Sequence, residues 1–334
     1  MRKVAINGLG RIGRAAFKLI LDTPELELVA VNDLVPPDNI AYLLRYDTVY
    51  GRYEKEVKSE SSCLIVDGKH YQVLSERDPS KLPWRDLGVE IVFECTGLFT
   101  KKEDAFKHIQ AGVKMVIVSA PSKSEEMVTV VHAVNKPKGD ISVISCASCT
   151  TNCITPVVEI MGRRIGIQKA IMTTIHAYTA TQKLVDGPDK KLRRGRAGAS
   201  NLVPTTTGAA IATTKALPEY KGKFDGTAVR APVTVGSIAD IVFVTSRPTS
   251  AEEINKIFKE EVETPRYKGI VGISEDPIVS SDIIKDPRAS IVDLEMTKVV
   301  DGDLVKVMSW YDNEWGYTNQ MIREAVRIAK EKYT

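Results

Sequence analysis

Ala5-Ile6-Asn7-Gly8-Leu9-Gly10-Arg11-Ile12-Gly13 joins the end of an apolar run to the start of a helix-like segment. Residues 3–7 read as a strand, and residues 11–21 as a helix whose apolar face is Ala15, Ala16, Leu19 and Ile20. Between them Gly8, Gly10 and Gly13 form G-x-G-x-x-G. Gly8 suits a tight turn, Gly10 lets backbone approach a pyrophosphate, and Gly13 allows a helix to pack closely on a strand. The helix start also offers unpaired N–H groups and a positive dipole end to phosphate. Three spaced glycines alone are a weak signal, so the context decides. Residues 26–31 supply a second strand, completing a βαβ unit, and Asp33 stands at its end, about twenty residues past Gly13. A carboxylate there accepts hydrogen bonds from ribose hydroxyls and repels a 2′-phosphate. The pattern points to NAD, with NADP the less favoured alternative.

Working outward, residues 91–93, 115–118, 128–131 and 141–144 continue as strands, and Asp67-Gly68 marks a hairpin. After about residue 150 the pattern changes. Residues 151–161 read as a helix, 170–178 as a β-rich run, 188–201 as a polar, basic loop, and 227–233 and 238–245 as long strands. Residues 299–310 surround a second turn at Asp301-Gly302. Strands joined by hairpins imply a mixed or antiparallel sheet, hence an α+β second domain. Met321, Ile322, Ala325, Val326 and Ala329 fall at helical spacing in a terminal helix that could dock on either domain.

A chain of 334 residues, 43% hydrophobic and 27% charged, is expected to form two globular domains. No apolar run reaches the ~20 residues that span a bilayer. The start runs directly into a β-like segment without the apolar stretch of a signal peptide, so a cytoplasmic location is expected. A net charge of +3 gives no footprint for a nucleic-acid or membrane partner. The odd cysteine set, Cys63, Cys95, Cys146, Cys149 and Cys153, argues against a disulfide framework, and no histidine lies near the crowded three for zinc.

Residues 145–153 read SCASCTTNC. Cys149 falls where a strand gives way to a helix. Helix-end N–H groups and the dipole are expected to lower its thiol pKa and to stabilise an oxyanion on an attacked carbonyl. Taken alone, a cysteine here reads as readily as a small buried residue. A base is needed, and the histidines are His70, His108, His132 and His176. His70 follows a turn and His108 lies in a charged helical stretch, so both read as surface. His132 ends a strand and reads either way. His176, in a β-like run, is the best partner for Cys149, although its pattern equally suits a core histidine.

The segments AINGLGRIGR, SCASCTTNC, HAYTATQ, NLVPTTTGAA and SWYDNEWGY occur in this order. With them the chain resembles, essentially end to end, the glyceraldehyde-3-phosphate dehydrogenases. The resemblance implies an α/β Rossmann dinucleotide-binding domain over 1–148 with a returning segment 313–334. It implies an α+β catalytic domain with a mixed or antiparallel sheet over 149–312. It also implies phosphorylating oxidation of D-glyceraldehyde 3-phosphate to 1,3-bisphosphoglycerate with NAD, in a homotetramer. By motif, Gly8, Gly10 and Gly13 shape the NAD turn, Arg11 and Ile12 contact the pyrophosphate and Asp33 the ribose, while Arg77, Ser119 and Asn313 complete the site. Cys149 is the nucleophile and His176 its base. Ser148 and Thr150 hold the reacting carbon and a phosphate. Thr179 and Arg230 bind one anion, Thr207 and Gly208 the other, with Arg194 joining the second. Asp33, Leu34 and Pro188 do not match the pattern of NADP-using relatives. The rivals are erythrose-4-phosphate dehydrogenase, which differs after the histidine, aspartate-semialdehyde dehydrogenase, which lacks these blocks, and a non-catalytic nucleotide- or RNA-binding role.

Overall fold

The computed structural model describes residues 1–137 and 139–331, and the chain divides into two units. One unit holds Met1–His132, Pro137–Ala147 and the chain from Met321 onward; the other holds Ala133–Lys136 and Ser148–Gln320. The return crossing falls at Met321, later than the 313 drawn from the sequence.

The first unit is built on a nine-stranded sheet. Its strands are β1 (Arg2–Asn7), β2 (Leu26–Asn32), β3 (Val57–Glu60), β4 (Cys63–Val66), β5 (Lys69–Leu74), β6 (Ile91–Glu94), β7 (Met115–Val118), β8 (Val128–Thr129) and β9 (Val143–Ser145). They lie in the order β8-β9-β7-β6-β1-β2-β5-β4-β3. All pairings from β8 to β5 are parallel, and β5-β4-β3 is an antiparallel edge. The order reverses between β1 and β6, as in a Rossmann domain, and that reversal opens a crevice at the carboxyl ends of the strands. β6 and β7 are buried at every position, the mark of parallel strands covered on both faces. The expected hairpin at Asp67-Gly68 joins β4 to β5, with both residues at positive φ, +47° and +78°. β8 is shorter than the expected 128–131, and β9 begins later than 141 because its ladder with β7 starts at Val143 opposite Val116.

The glycine turn joins β1 to α1 (Arg11–Leu21). A Cβ on Gly13 would stand 1.9 Å from the Gly8 carbonyl oxygen, so only glycine lets α1 begin this close to β1. Gly8 itself has φ +93° and would place a Cβ 2.7 Å from the Thr96 nitrogen. α2 (Pro37–Arg45), which the sequence did not announce, begins with proline in its first turn and follows β2. His108, expected at the surface, is fully buried, and Trp84 Nε1 donates to its Nδ1 at 3.0 Å. His132, read either way, keeps Nδ1 2.9 Å from the buried Glu324 carboxylate.

The second unit carries a seven-stranded mixed sheet. Its strands are β10 (Ile167–Ala177), β11 (Val203–Thr206), β12 (Phe224–Ala231), β13 (Ser237–Thr245), β14 (Val271–Ser274), β15 (Ser290–Val300) and β16 (Leu304–Tyr311). Their order is β11-β12-β10-β13-β16-β15-β14. β10 pairs parallel with β12 and antiparallel with β13. α3 (Cys149–Arg164) packs Ile154, Val157, Val158 and Met161 into a core with Ile241, Phe243, Val305 and Val307. The basic loop contains one short 3-10 turn, Leu192–Gly195. α4 (Ala209–Ala216) and α5 (Ala251–Glu261) were not foreseen, while the last helix, α6 (Trp315–Glu331), was. Its Met321, Ile322, Ala325 and Ile328 belong to the core of the first unit. Among the described residues no helix is long and apolar enough to cross a membrane.

The glycine turn separates folding from binding. Gly13→Ala is expected to destabilise the chain by about 1–3 kcal/mol through forced overpacking. A Cβ on Gly10 meets nothing within 4 Å. Gly10→Ala is therefore expected to melt like the wild type while binding NAD more weakly. Melting curves and NAD titrations of both variants check this, and a stability loss in Gly10→Ala equal to that of Gly13→Ala would refute it.

Candidate active site

At the strand reversal the first unit holds a cleft of about 340 Å³. Asn7, Gly8 and Gly10 line it from the β1 turn, Asn32 and Asp33 from the end of β2, and Thr96 from just past β6. Glu76, Arg77 and the apolar Leu34, Leu98 and Phe99 complete it. Asp33 is half-buried and held from two sides, accepting from Leu9 N at 2.6 Å and Val35 N at 3.0 Å. A fixed carboxylate at the rim, a glycine with open space where a side chain would stand, and the N-terminal end of α1 suit a dinucleotide.

Not every expected side chain of the first unit lines this cleft. The Arg11 guanidinium pairs with Asp47 and covers the Tyr50 ring, 5.4 Å from its centroid. The Arg11 side chain is thus engaged with Asp47 and Tyr50. Gly13 lies beneath the turn. Ser119 hydrogen-bonds Cys95. Asn313, in the second unit, accepts from Gly236 N at 3.1 Å and Ser237 Oγ at 3.0 Å, so the amino end of its carboxamide is the part it can present.

In the second unit the sequence places Cys149 at the first position of α3. The chain enters through Ala147, at φ +56°, and Ser148 caps the helix by accepting from Thr151 N at 3.1 Å. Ser148 Oγ also lies 2.8 Å from Thr151 Oγ1. Cys149 Sγ is 3.3 Å from His176 Nε2. His176 sits near the end of β10, opposite Arg230 in the parallel ladder with β12. His176 Nδ1 is 2.7 Å from the carbonyl oxygen of Ala177, and Arg230 Nη1 reaches the same oxygen at 3.0 Å. Arg230 Nη1 also stands 2.5 Å from His176 Nδ1; a base at Nε2 requires the tautomer in which Nδ1–H donates to the Ala177 carbonyl. Tyr311, at the end of β16, sets its ring edge-on to His176 with centroids 6.0 Å apart. Its hydroxyl lies 2.9 Å from Thr150 Oγ1 and 2.8 Å from Thr174 Oγ1.

The electrostatics correct one expectation. Burial pushes the Cys149 thiol up, although the Arg230 charge and the N–H and hydroxyl donors of Thr150 oppose it. The helix start favours the thiolate, but lost hydration outweighs it. Burial first, and then the Arg230 charge, lower His176 from its ordinary 6.5 to about 3. Burial thus favours the neutral form of both partners. Cys146 and Cys153 are buried and pushed up as well, and none of the five cysteines is joined in a disulfide.

The expected anion residues also lie in the second unit. Thr179 Oγ1 is 2.8 Å from Thr181 Oγ1. Arg194 Nε donates to Thr205 Oγ1 at 2.9 Å. Thr207 Oγ1 accepts from Ala209 N at 3.2 Å beside Gly208, the residue that precedes α4. Lys191, which the sequence reads as surface charge of the basic loop, joins this group by donating to Thr206 Oγ1 at 2.8 Å. Tyr311 was likewise not assigned a role, although it lies in the SWYDNEWGY block.

Fold and cleft define the class: an NAD-dependent oxidoreductase with a Rossmann domain and a catalytic domain. The family description "glyceraldehyde 3-phosphate dehydrogenase, NAD binding domain" matches residues 2–102, and "glyceraldehyde 3-phosphate dehydrogenase, C-terminal domain" matches residues 148–313. The glyceraldehyde-3-phosphate dehydrogenase of Streptomyces coelicolor is 48% identical over 333 residues, covering 98% of this chain and 99% of that protein. Glyceraldehyde-3-phosphate dehydrogenase 1 of Bacillus subtilis is 48% identical over 332 residues, and the enzyme of Geobacillus stearothermophilus 47% over 332, each covering 98% of both chains. The chain belongs to the glyceraldehyde-3-phosphate dehydrogenase family.

Arg230 carries a test of these electrostatics. Its charge lowers both pKa values, easing the proton off sulfur and discouraging the ring from holding it. Arg230→Ala is expected to move the pH midpoint for alkylation of Cys149 by iodoacetamide upward, and Arg230→Lys to restore part of the shift. An unmoved midpoint in Arg230→Ala would sink this assignment.

Proposed function

We propose that this chain performs the phosphorylating oxidation of D-glyceraldehyde 3-phosphate to 1,3-bisphosphoglycerate, as a cytoplasmic homotetramer, with Cys149 as nucleophile and His176 as base. The observation that carries the reading is the 3.3 Å contact between Cys149 Sγ and His176 Nε2 at the start of α3.

Cys149 Sγ attacks the aldehyde carbon while His176 Nε2 takes the thiol proton, so a carbon–sulfur bond forms and the carbonyl oxygen gains negative charge. The N–H groups at the start of α3 and the Thr150 hydroxyl meet that charge. The imidazolium returns its proton to give the hemithioacetal, and His176 then accepts the hydroxyl proton as the thioester forms. NAD, when bound, supplies the hydride acceptor for this oxidation. Gly8, Gly10 and the backbone of Arg11 and Ile12 would hold its pyrophosphate on the turn that Gly13 packs from beneath, Asp33 its ribose, with Arg77 and Ser119 nearby and Asn313 toward the nicotinamide amide. Inorganic phosphate attacks the thioester and breaks the carbon–sulfur bond, and the proton held by His176 goes back to sulfur. Two phosphates need two cationic, hydroxyl-lined sites. Thr179 and Arg230 serve one; Thr207, Gly208 and Arg194 serve the other; Ser148 and Thr150 lie against the reacting carbon.

NADH formation from glyceraldehyde 3-phosphate tests the whole reading. The expected result is turnover that requires inorganic phosphate and favours NAD over NADP. Cys149→Ser should abolish it, and His176→Asn should lower kcat by about 10²–10⁴-fold, the worth of a positioned base. Phosphate-independent turnover, or a preference for erythrose 4-phosphate, would overturn the substrate assignment. Appreciable activity in Cys149→Ser would overturn the covalent route.

A further inference from the structure

Beneath the first unit's cleft runs a chain of buried polar side chains that the reaction does not use. Trp84 and His108 are 0% exposed, Glu94 and Asn7 1% and Asn32 4%. An indole N–H only donates, so the 3.0 Å bond from Trp84 Nε1 fixes His108 Nδ1 as an acceptor. The ring hydrogen then sits on Nε2, 3.1 Å from Glu94 Oε2. The same oxygen accepts from Asn7 Nδ2 at 2.6 Å. Glu94 Oε1 accepts from Thr96 N at 2.8 Å and from the Thr96 hydroxyl. Every acceptor direction of the carboxylate is therefore filled. Asn7 Oδ1 accepts from Asn32 Nδ2 at 2.7 Å, and Asn32 Oδ1 accepts from Glu76 N at 2.8 Å.

The chain has a direction. Trp84 and His108 do not reach the cleft, whereas Asn7, Asn32, Glu76 and Thr96 line it. These four come from different segments, the ends of β1, β2 and β6 and the stretch after β5, so no single backbone element sets their spacing. Glu94 ties Asn7 to Thr96 directly and Asn32 to both through Asn7. We propose that Glu94 and His108 are positioning residues for the dinucleotide: they fix the floor and two walls of the cleft without touching the ligand. This rests on reading the cleft as the NAD site. In a buried, fully satisfied network, a donor placed against a donor moves both partners, because water is not there to replace the lost bond.

Glu94→Gln keeps the shape but turns two of its lone pairs into N–H groups facing existing donors. It is expected to raise the Kd and KM for NAD by about tenfold, the loss of one well-placed interaction. kcat at saturating NAD and the iodoacetamide reactivity of Cys149 without NAD should stay as in the wild type. His108→Leu, which deletes the donor, should act alike, and His108→Gln, which retains one, should restore most of the affinity. Lower melting temperatures with unchanged NAD affinity in Glu94→Gln and His108→Leu would show a merely structural role and overturn the proposal. So would equal losses in His108→Gln and His108→Leu. Should Glu94→Gln not fold, the two His108 variants carry the same test. Wild-type protein that binds no NAD would instead refute the cleft's assignment.

Discussion

A thiol and an imidazole held 3.3 Å apart, mostly out of water, set the terms for the rest of the second unit. Two constraints bring them there. α3 starts at Cys149 because Ser148 caps it after a left-handed turn at Ala147. β10 ends beside that start with His176 facing it, and the parallel ladder with β12 places Arg230 directly alongside. Burial favours the neutral form of both partners. The guanidinium then acts unequally in consequence: it stabilises charge on sulfur and destabilises charge on the ring. Burial and the neighbouring guanidinium thus both disfavour a proton on the ring beyond the one it carries when neutral.

The two units solve opposite problems with buried polar groups. Around Glu94 every donor meets an acceptor, so the network is stiff and has one arrangement. Around Cys149 the thiol lies against an imidazole, and the Arg230 guanidinium stands beside that ring. Stiffness suits a surface that must match a large ligand at many points. An unfinished set of bonds suits a place where bonds change.

What the sequence made legible was local. The glycine turn, Asp33 at the end of β2, and the hairpins at Asp67-Gly68 and Asp301-Gly302 each rest on neighbours a few residues apart, and a backbone demand shows directly in residue type there. The strand-to-helix junction at Cys149 is legible for the same reason. His108 was misread because Lys101, Lys102, Glu103, Asp104 and Lys107 surround it with charge. The helix Lys107–Gln110 is too short to display a period, so nothing local announced that one residue of it turns inward. The meeting of His176 with Arg230, or of Glu94 with Asn7, is a product of strand order and register, which no local pattern carries. The thiol pKa was misjudged on similar grounds: helix-end donors can be read from position, whereas the loss of hydration depends on everything packed around the sulfur.

The core of the first unit draws Met321, Ile322, Ala325 and Ile328 from the far end of the chain. A ribosome delivers the segment holding those residues after every other segment of both units. Until these residues arrive, the apolar cluster they share with Leu28, Ile144 and Cys146 is incomplete. The second unit's chain between Ser148 and Gln320 is complete by then. The domain whose residues emerge first is therefore the one that can finish folding last, and a nascent chain stalled short of Met321 would expose apolar surface that the finished protein never shows.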